Sequence, residues 1–99
     1  MSTTQTLTDI RIPTPLRAYT NNQTTIAVTG ETVGEALTDL VAQYPRLQPH
    51  LYDDQGALRS FVNIYRNDED IRYLDKTDTR LGANDELSIV PSIAGGIGR

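Results

Sequence analysis

The 99-residue sequence contains no cysteine. That removes disulfides, iron–sulfur ligation, thiolate zinc sites and thiol nucleophiles together. Lysine is nearly absent as well: Lys76 stands alone, and the remaining formal positive charge is eight arginines scattered along the chain. With a formal net charge of −4 and no basic run, nucleic acid is not an expected partner. The acidic balance favours encounter with basic protein surfaces instead. No stretch approaches the roughly 18–20 apolar residues that a membrane span needs, so no membrane association is expected. Met1-Ser2-Thr3-Thr4-Gln5-Thr6 has neither a basic start nor an apolar run, so no signal peptide is expected and the cytoplasm is the expected compartment. No serine sits in a recognisable nucleophile motif.

What is present suits one small folded domain. The hydrophobic fraction is 37% and the apolar residues are clustered. A domain of this size leaves little interior for a deep substrate pocket. Leu7 to Pro13 alternates as a strand, with Leu7, Asp9 and Arg11 against Thr8, Ile10 and Ile12; the pattern alone does not say which side is core. Pro13 and Pro15 interrupt pairing. Asn21-Asn22 reads as a turn, and Thr24 to Val28, rich in β-branched residues, as the returning strand. Thr32-Val33-Gly34-Glu35 matches a capping box in which the Thr32 hydroxyl accepts from the amide of residue 35 and Glu35 reaches the amide of residue 32. Val33, Leu37, Leu40, Val41 and Tyr44 then form one apolar helical stripe that Pro45 ends.

Gln48 to Arg59 is polar and reads as a short helical turn and a loop. Phe61 to Arg66 is a strand with Val62 and Ile64 on one side and Phe61, Asn63 and Tyr65 on the other. Asn67-Asp68 begins a turn, and Ile71 to Leu74 reads as a short strand. Leu81 to Asn84 is a turn, and Leu87 to Pro91 is the last strand. One helix covering one face of a mixed sheet of four to five strands is an α+β arrangement, the architecture of the ubiquitin-like β-grasp. Residues 1–91 would form that domain and 92–99 a C-terminal tail.

Three runs carry a family likeness. Phe61 to Arg72, Asp85 to Gly96 and the opening Ile12-Pro13-Thr14-Pro15-Leu16-Arg17 together resemble the ubiquitin-like sulfur carriers over nearly the whole domain. The Asn-Asp-Glu-Asp turn and the Ile-Pro-Thr start most resemble the branch used in an alternative route to cysteine. The small subunit of molybdopterin synthase and the thiamine sulfur carrier are more distant relatives and alternative readings. The resemblance implies a carrier, not an enzyme, with no bound cofactor. An activating enzyme would use ATP to adenylate the terminal carboxylate of Gly96, sulfur would displace AMP to leave a thiocarboxylate, and an acceptor enzyme, cysteine-synthase-like in the favoured branch, would take the sulfur.

The tail suits that task physically. Gly95 and Gly96 lack Cβ atoms and fit a narrow channel, and Ile93 and Ala94 lead into them as the segment a partner would recognise. Extended, Ser92 to Gly96 reaches about 16 Å at roughly 3.3 Å per residue. A glycine pair near a terminus is also what a frayed end looks like; the preceding strand and the Pro91-Ser92-Ile93-Ala94 lead-in favour a functional tail. The chain departs from the family pattern by running on through Ile97, Gly98 and Arg99, which deprives Gly96 of a free carboxylate. The expectation is a precursor cut between Gly96 and Ile97 by a peptidase, a zinc-dependent one being the candidate. The alternative is an inactive variant or a non-native extension. Two rival functions share the fold: a protein modifier whose tail forms isopeptide bonds to lysines, and a plain binding subunit without tail chemistry.

Other features weigh less. Asp68-Glu69-Asp70 lacks the spacing and glycine of a calcium loop, and no metal site is expected. Lone His50 has no obvious ligand or nucleophile partner and reads as a surface histidine. The glycines at 95, 96 and 98 precede no helix, so they form no phosphate loop. Phe61, Tyr65 and Val90 are candidates for an apolar partner surface on the sheet face away from the helix, unless sheet curvature or the 48–59 loop covers them.

Overall fold

Alternating burial builds the sheet. The computed structural model describes residues 7–82 and 84–91. Strand β1 (Leu7–Arg11) pairs antiparallel with β2 (Thr25–Thr29), and α1 (Val33–Gln43) then crosses the sheet. After α1 the chain makes a 3₁₀ turn (Pro45–Leu47) and a short helix α2 (Gln48–Leu51). It then re-enters the sheet as β3 (Val62–Arg66), β4 (Glu69–Asp70) and β5 (Glu86–Pro91). The order across the five-stranded sheet is β2-β1-β5-β3-β4. β5 lies parallel to β1 on one side and antiparallel to β3 on the other. This mixed sheet with one main helix on one face is the ubiquitin-like β-grasp expected from the sequence.

The side of β1 that the pattern left open is settled by register. Ile10 lies opposite Ile26 in β2 and Leu87 in β5, so Thr8, Ile10 and Ile12 face the helix while Leu7, Asp9 and Arg11 face away. Ile64, Leu87 and Ile89 complete the inner face, against Val33, Ala36, Leu37 and Leu40 of α1. Full burial of each such side chain stabilises by about 1.5–3 kcal/mol. Val41 and Tyr44, expected in the helical stripe, pack only at its margin. The Thr8 hydroxyl is buried in this layer without a hydrogen-bond partner among the described residues.

Two local expectations change. Thr32 caps α1 as anticipated, its hydroxyl accepting from the Glu35 amide at 3.2 Å, but Glu35 reaches the amide of Glu31 at 2.9 Å, not that of Thr32. The chain on either side of Thr32 is already held, with the Val33 amide donating to the Thr79 carbonyl and the Leu81 amide to the Glu31 carbonyl. The second change concerns Ile71 to Leu74, which is no strand: β4 comprises Glu69–Asp70 and a 3₁₀ turn follows at Ile71–Tyr73. The Asp70 carboxylate accepts from the Arg72 amide at 2.9 Å, which starts that turn, and buried Ile71 anchors it. Gly30 is required by close approach, because a Cβ there would lie 2.6 Å from the Ala36 amide nitrogen. Among the described residues no helix is long and apolar enough to cross a membrane.

Candidate functional site

Strand β5, ending at Pro91, is the last described element before the C-terminal residues. Because β5 is central, its last residue, Pro91, is flanked on one side by the start of β3, with Val62 as its register partner. On the other side lies the stretch that follows β1, since Arg11 is the register partner of Ser88 and Ile12 comes next. β5 is held by two ladders, with β1 over Glu86–Ser88 and with β3 as far as Pro91. Ile93, Ala94, Gly95, Gly96 and Ile97, the tail and processing residues singled out in the sequence, lie outside the described residues.

The three residues named as a partner surface are partly brought together. Asn63 of β3 faces Val90 of β5, and Phe61 and Tyr65 fall on the same side as Asn63 by alternation. Phe61 is 48% and Val90 43% exposed, on the sheet face that α1 does not cover. Neither curvature nor the 48–59 loop takes them out of solvent. Tyr65, in register with Ser88 and Asp70, is half-buried.

A group of cations surrounds the same strand end and was not anticipated. Arg17 lies in the 3₁₀ helix Thr14–Tyr19 that follows β1, and its Nε donates to the Ile12 carbonyl at 3.0 Å. Across the strand end, the Arg59 Nε donates to the Pro49 carbonyl at 2.8 Å, while the Val62 amide donates to the Arg59 carbonyl at 3.0 Å. The Arg46 guanidinium lies 5.4 Å from the centroid of the Tyr19 ring. The Tyr19 ring also stacks on His50, with centroids 4.2 Å apart, so the histidine read as a lone surface residue has an aromatic partner. None of these three arginines pairs with a carboxylate among the described residues, and neither does Arg80 beside Thr32, whereas Arg11, Arg66 and Arg72 pair with Glu86, Glu69 and Asp70. Nearby Asp53 is engaged by its own loop: the amides of Ala57 and Gln55 hold its carboxyl below the usual range, and Arg59 adds a weaker pull. Nothing in the linear sequence signals this cluster, because its members come from three separate segments.

The described residues offer no catalytic constellation. A groove of about 920 Å³ opens between the start of α1, the 52–60 loop and residues 70–78. Two of its three carboxylates, Glu35 and Asp70, are engaged by main-chain amides, the third being Asp78, and burial pushes the Tyr52 hydroxyl pKa up. Among the described residues, no group of three or more His, Asp or Glu side chains could hold a metal ion. What the described residues do show at the end of β5 is an exposed apolar pair, Phe61 and Val90, beside a group of arginines.

Comparison with known proteins agrees with this geometry. The model of the ThiS family matches residues 10–96. Sulfur carrier protein CysO of Mycobacterium tuberculosis is 39% identical over 89 residues, which cover 88% of this chain and 96% of that protein. CysO in the crystal structure of the Amycolatopsis orientalis BexX/CysO complex superposes with a TM-score of 0.81 at 31% identity, covering 90% of this chain and 99% of that one. The crystal structure of small archaeal modifier protein 1 from Haloferax volcanii gives a TM-score of 0.79 at 28% identity, covering 91% of this chain and 99% of that one.

Proposed function

Since this chain belongs to the ThiS family of ubiquitin-like sulfur carriers, we propose that it carries sulfur as a thiocarboxylate on Gly96 after residues 97–99 are removed. One observation carries the proposal: the family match ends at Gly96, so Ile97, Gly98 and Arg99 lie beyond the shared domain. Cleavage of the Gly96–Ile97 peptide bond by a peptidase consumes one water and frees the Gly96 carboxylate. The activating enzyme joins that carboxylate to the α-phosphate of ATP and releases pyrophosphate. Hydrosulfide, or its equivalent on a sulfurtransferase, then attacks the acyl carbon and expels AMP.

The carrier is a co-substrate in this scheme. Its sulfur attacks an electrophilic carbon held by the acceptor enzyme, and water later cleaves the acyl–sulfur bond to restore the Gly96 carboxylate. The likeness to CysO favours an acceptor of the cysteine-synthase kind and delivery of sulfur into cysteine. The BexX/CysO complex supports direct docking of a carrier on an acceptor enzyme. Dependence on ATP favours the cytoplasm as the compartment of the cycle. Likeness to the archaeal modifier supports a second reading, in which the activated Gly96 acylates a lysine of another protein.

Intact-mass analysis of protein from its native host tests the scheme. Carrier chemistry yields a free chain ending at Gly96, part of it heavier by the difference between sulfur and oxygen. Modifier chemistry yields conjugates that survive reduction. Persistence of Ile97-Gly98-Arg99 on every molecule would exclude both.

A further inference from the structure

The chain carries a net charge of −4, yet three arginines without a carboxylate partner lie near the end of β5, with Asp53 the nearby carboxylate. We propose that Arg17, Arg46 and Arg59 form a docking rim for a protein partner whose tail-accepting channel is ringed by carboxylates. The inference rests on the carrier function and specifies the partner chemistry that function needs.

The geometry has three parts. Arg17 and Arg59 stand on opposite sides of the β5 exit, one through Ile12 beside β5 and the other through Val62 opposite Pro91. Each is positioned by a hydrogen bond from Nε to a main-chain carbonyl. That bond fixes the side chain without cancelling its charge, and the terminal nitrogens of the guanidinium remain able to donate to a planar carboxylate. Arg46 is placed over the Tyr19 ring, which again leaves its charge uncompensated. Arginines whose only role was solubility would have no need of such anchors.

Charge distribution supplies the second line of support. Glu31, Glu35, Asp68, Glu69, Asp85 and Glu86 lie toward the opposite end, by the start of α1, the β3–β4 turn and the start of β5, where they outnumber Arg66, Lys76 and Arg80. The molecule is therefore electrically polar along β5. A partner with a negative mouth would attract the tail end and repel the other, so that encounters arrive tail first. Carboxylates around a channel entrance also fit the tail itself, because Ser92 to Gly96 brings no side-chain charge of its own. Phe61 and Val90, exposed on the open sheet face near the same strand end, would supply an apolar contact next to the charged rim.

Association with the purified adenylating enzyme of the same host tests the proposal, using the full chain processed to Gly96 and stopped-flow mixing at low and high salt. The triple variant R17E/R46E/R59E is expected to associate about 10- to 100-fold more slowly at low salt, with the wild-type advantage fading as salt rises. The triple variant R17K/R46K/R59K, which keeps the charge, is expected to stay within about twofold of wild type. Should the double loss at Arg17 and Arg59 loosen the turns they anchor, exposed Arg46→Glu alone still slows association, by about threefold. Equal rates for the charge-reversed and wild-type chains, with normal pyrophosphate exchange by both, would overturn the docking rim while leaving the carrier function standing. Absence of exchange with the wild-type chain would remove the carrier function and the rim with it. Salt-dependent binding to a duplex DNA fragment, alongside salt-independent association with the enzyme, would assign the arginines to nucleic acid and overturn the proposal.

Discussion

Charge is handled in opposite ways at the two ends of β5. Where β5 begins, Asp85 accepts from the Gly82 amide at 2.7 Å and from the Asn67 side chain at 3.0 Å. Asn67 in turn exchanges main-chain and side-chain bonds with Glu86, and Arg66 and Arg11 find Glu69 and Glu86. Asp85, Glu86, Asn67 and Glu69 there all answer other groups of the same chain, while the buried Arg66 Nε has no partner among the described residues. Where β5 ends, the arginines are held by carbonyls and a ring, and two apolar side chains face solvent. The first end closes the fold; the second is built to meet another molecule. A polar group satisfied internally contributes stability, whereas one held in place but left unneutralised keeps its interaction for a partner.

The comparison can be broken most severely at the exit end by removing its support. Leu51 is fully buried in α2 and its carbonyl receives the Arg59 amide, so Leu51→Ala is expected to cost about 3 kcal/mol in urea unfolding. It should also raise amide exchange throughout residues 45–62. At the closed end, Gly30→Ala forces a Cβ against the Ala36 amide, and a loss of about 2 kcal/mol is expected in the same measurement. A smaller change sharpens the contrast. Asp85→Ala removes an acceptor serving Gly82 and Asn67 and should cost about 1 kcal/mol at neutral pH.

The pH dependence of that last effect has a definite sign. The Gly82 amide, then the Asn67 side chain and more weakly Arg66, hold the Asp85 carboxyl below its ordinary range. A carboxyl depressed in the folded state stabilises fully above its unfolded pKa, and the stabilisation is lost as pH falls through the folded value. Unfolding midpoints of wild type and Asp85→Ala should therefore differ at neutral pH and converge in acid, below the ordinary carboxylate pKa of about 4. A gap that stays constant into acid would show that the Asp85 charge is not what closes this end. The smallest effect is expected at the exposed Arg11–Glu86 pair, where Arg11→Gln should shift stability by no more than about 0.5 kcal/mol.

Legibility followed the range of the interactions. The inward alternation of Val62 and Ile64, the stop at Pro45 and the Thr32 cap are decided within a few residues, and all could be read from the chain. The failures came where a neighbouring side chain redirected the backbone or a distant segment intervened. Ile71 to Leu74 looks like a strand until the Asp70 side chain turns the backbone, and Glu35 bonds Glu31 because residues 79–81 hold the chain beside Thr32. Phe61 and Val90 were found by alternation, but Tyr65 on the same side is half-buried, a difference set by neighbouring strands.

By itself the sequence determined a single β-grasp domain without thiol chemistry, ending in a strand that leads to a glycine pair, because periodicity and residue type are local properties that survive without any coordinates. Only the tertiary structure decided that this strand is central and that Arg17, Arg46 and Arg59 meet around its end. Their separation along the chain carries no information about their separation in space. It is the sheet order, with β5 inserted between β1 and β3, that turns scattered positive charge into one cationic rim.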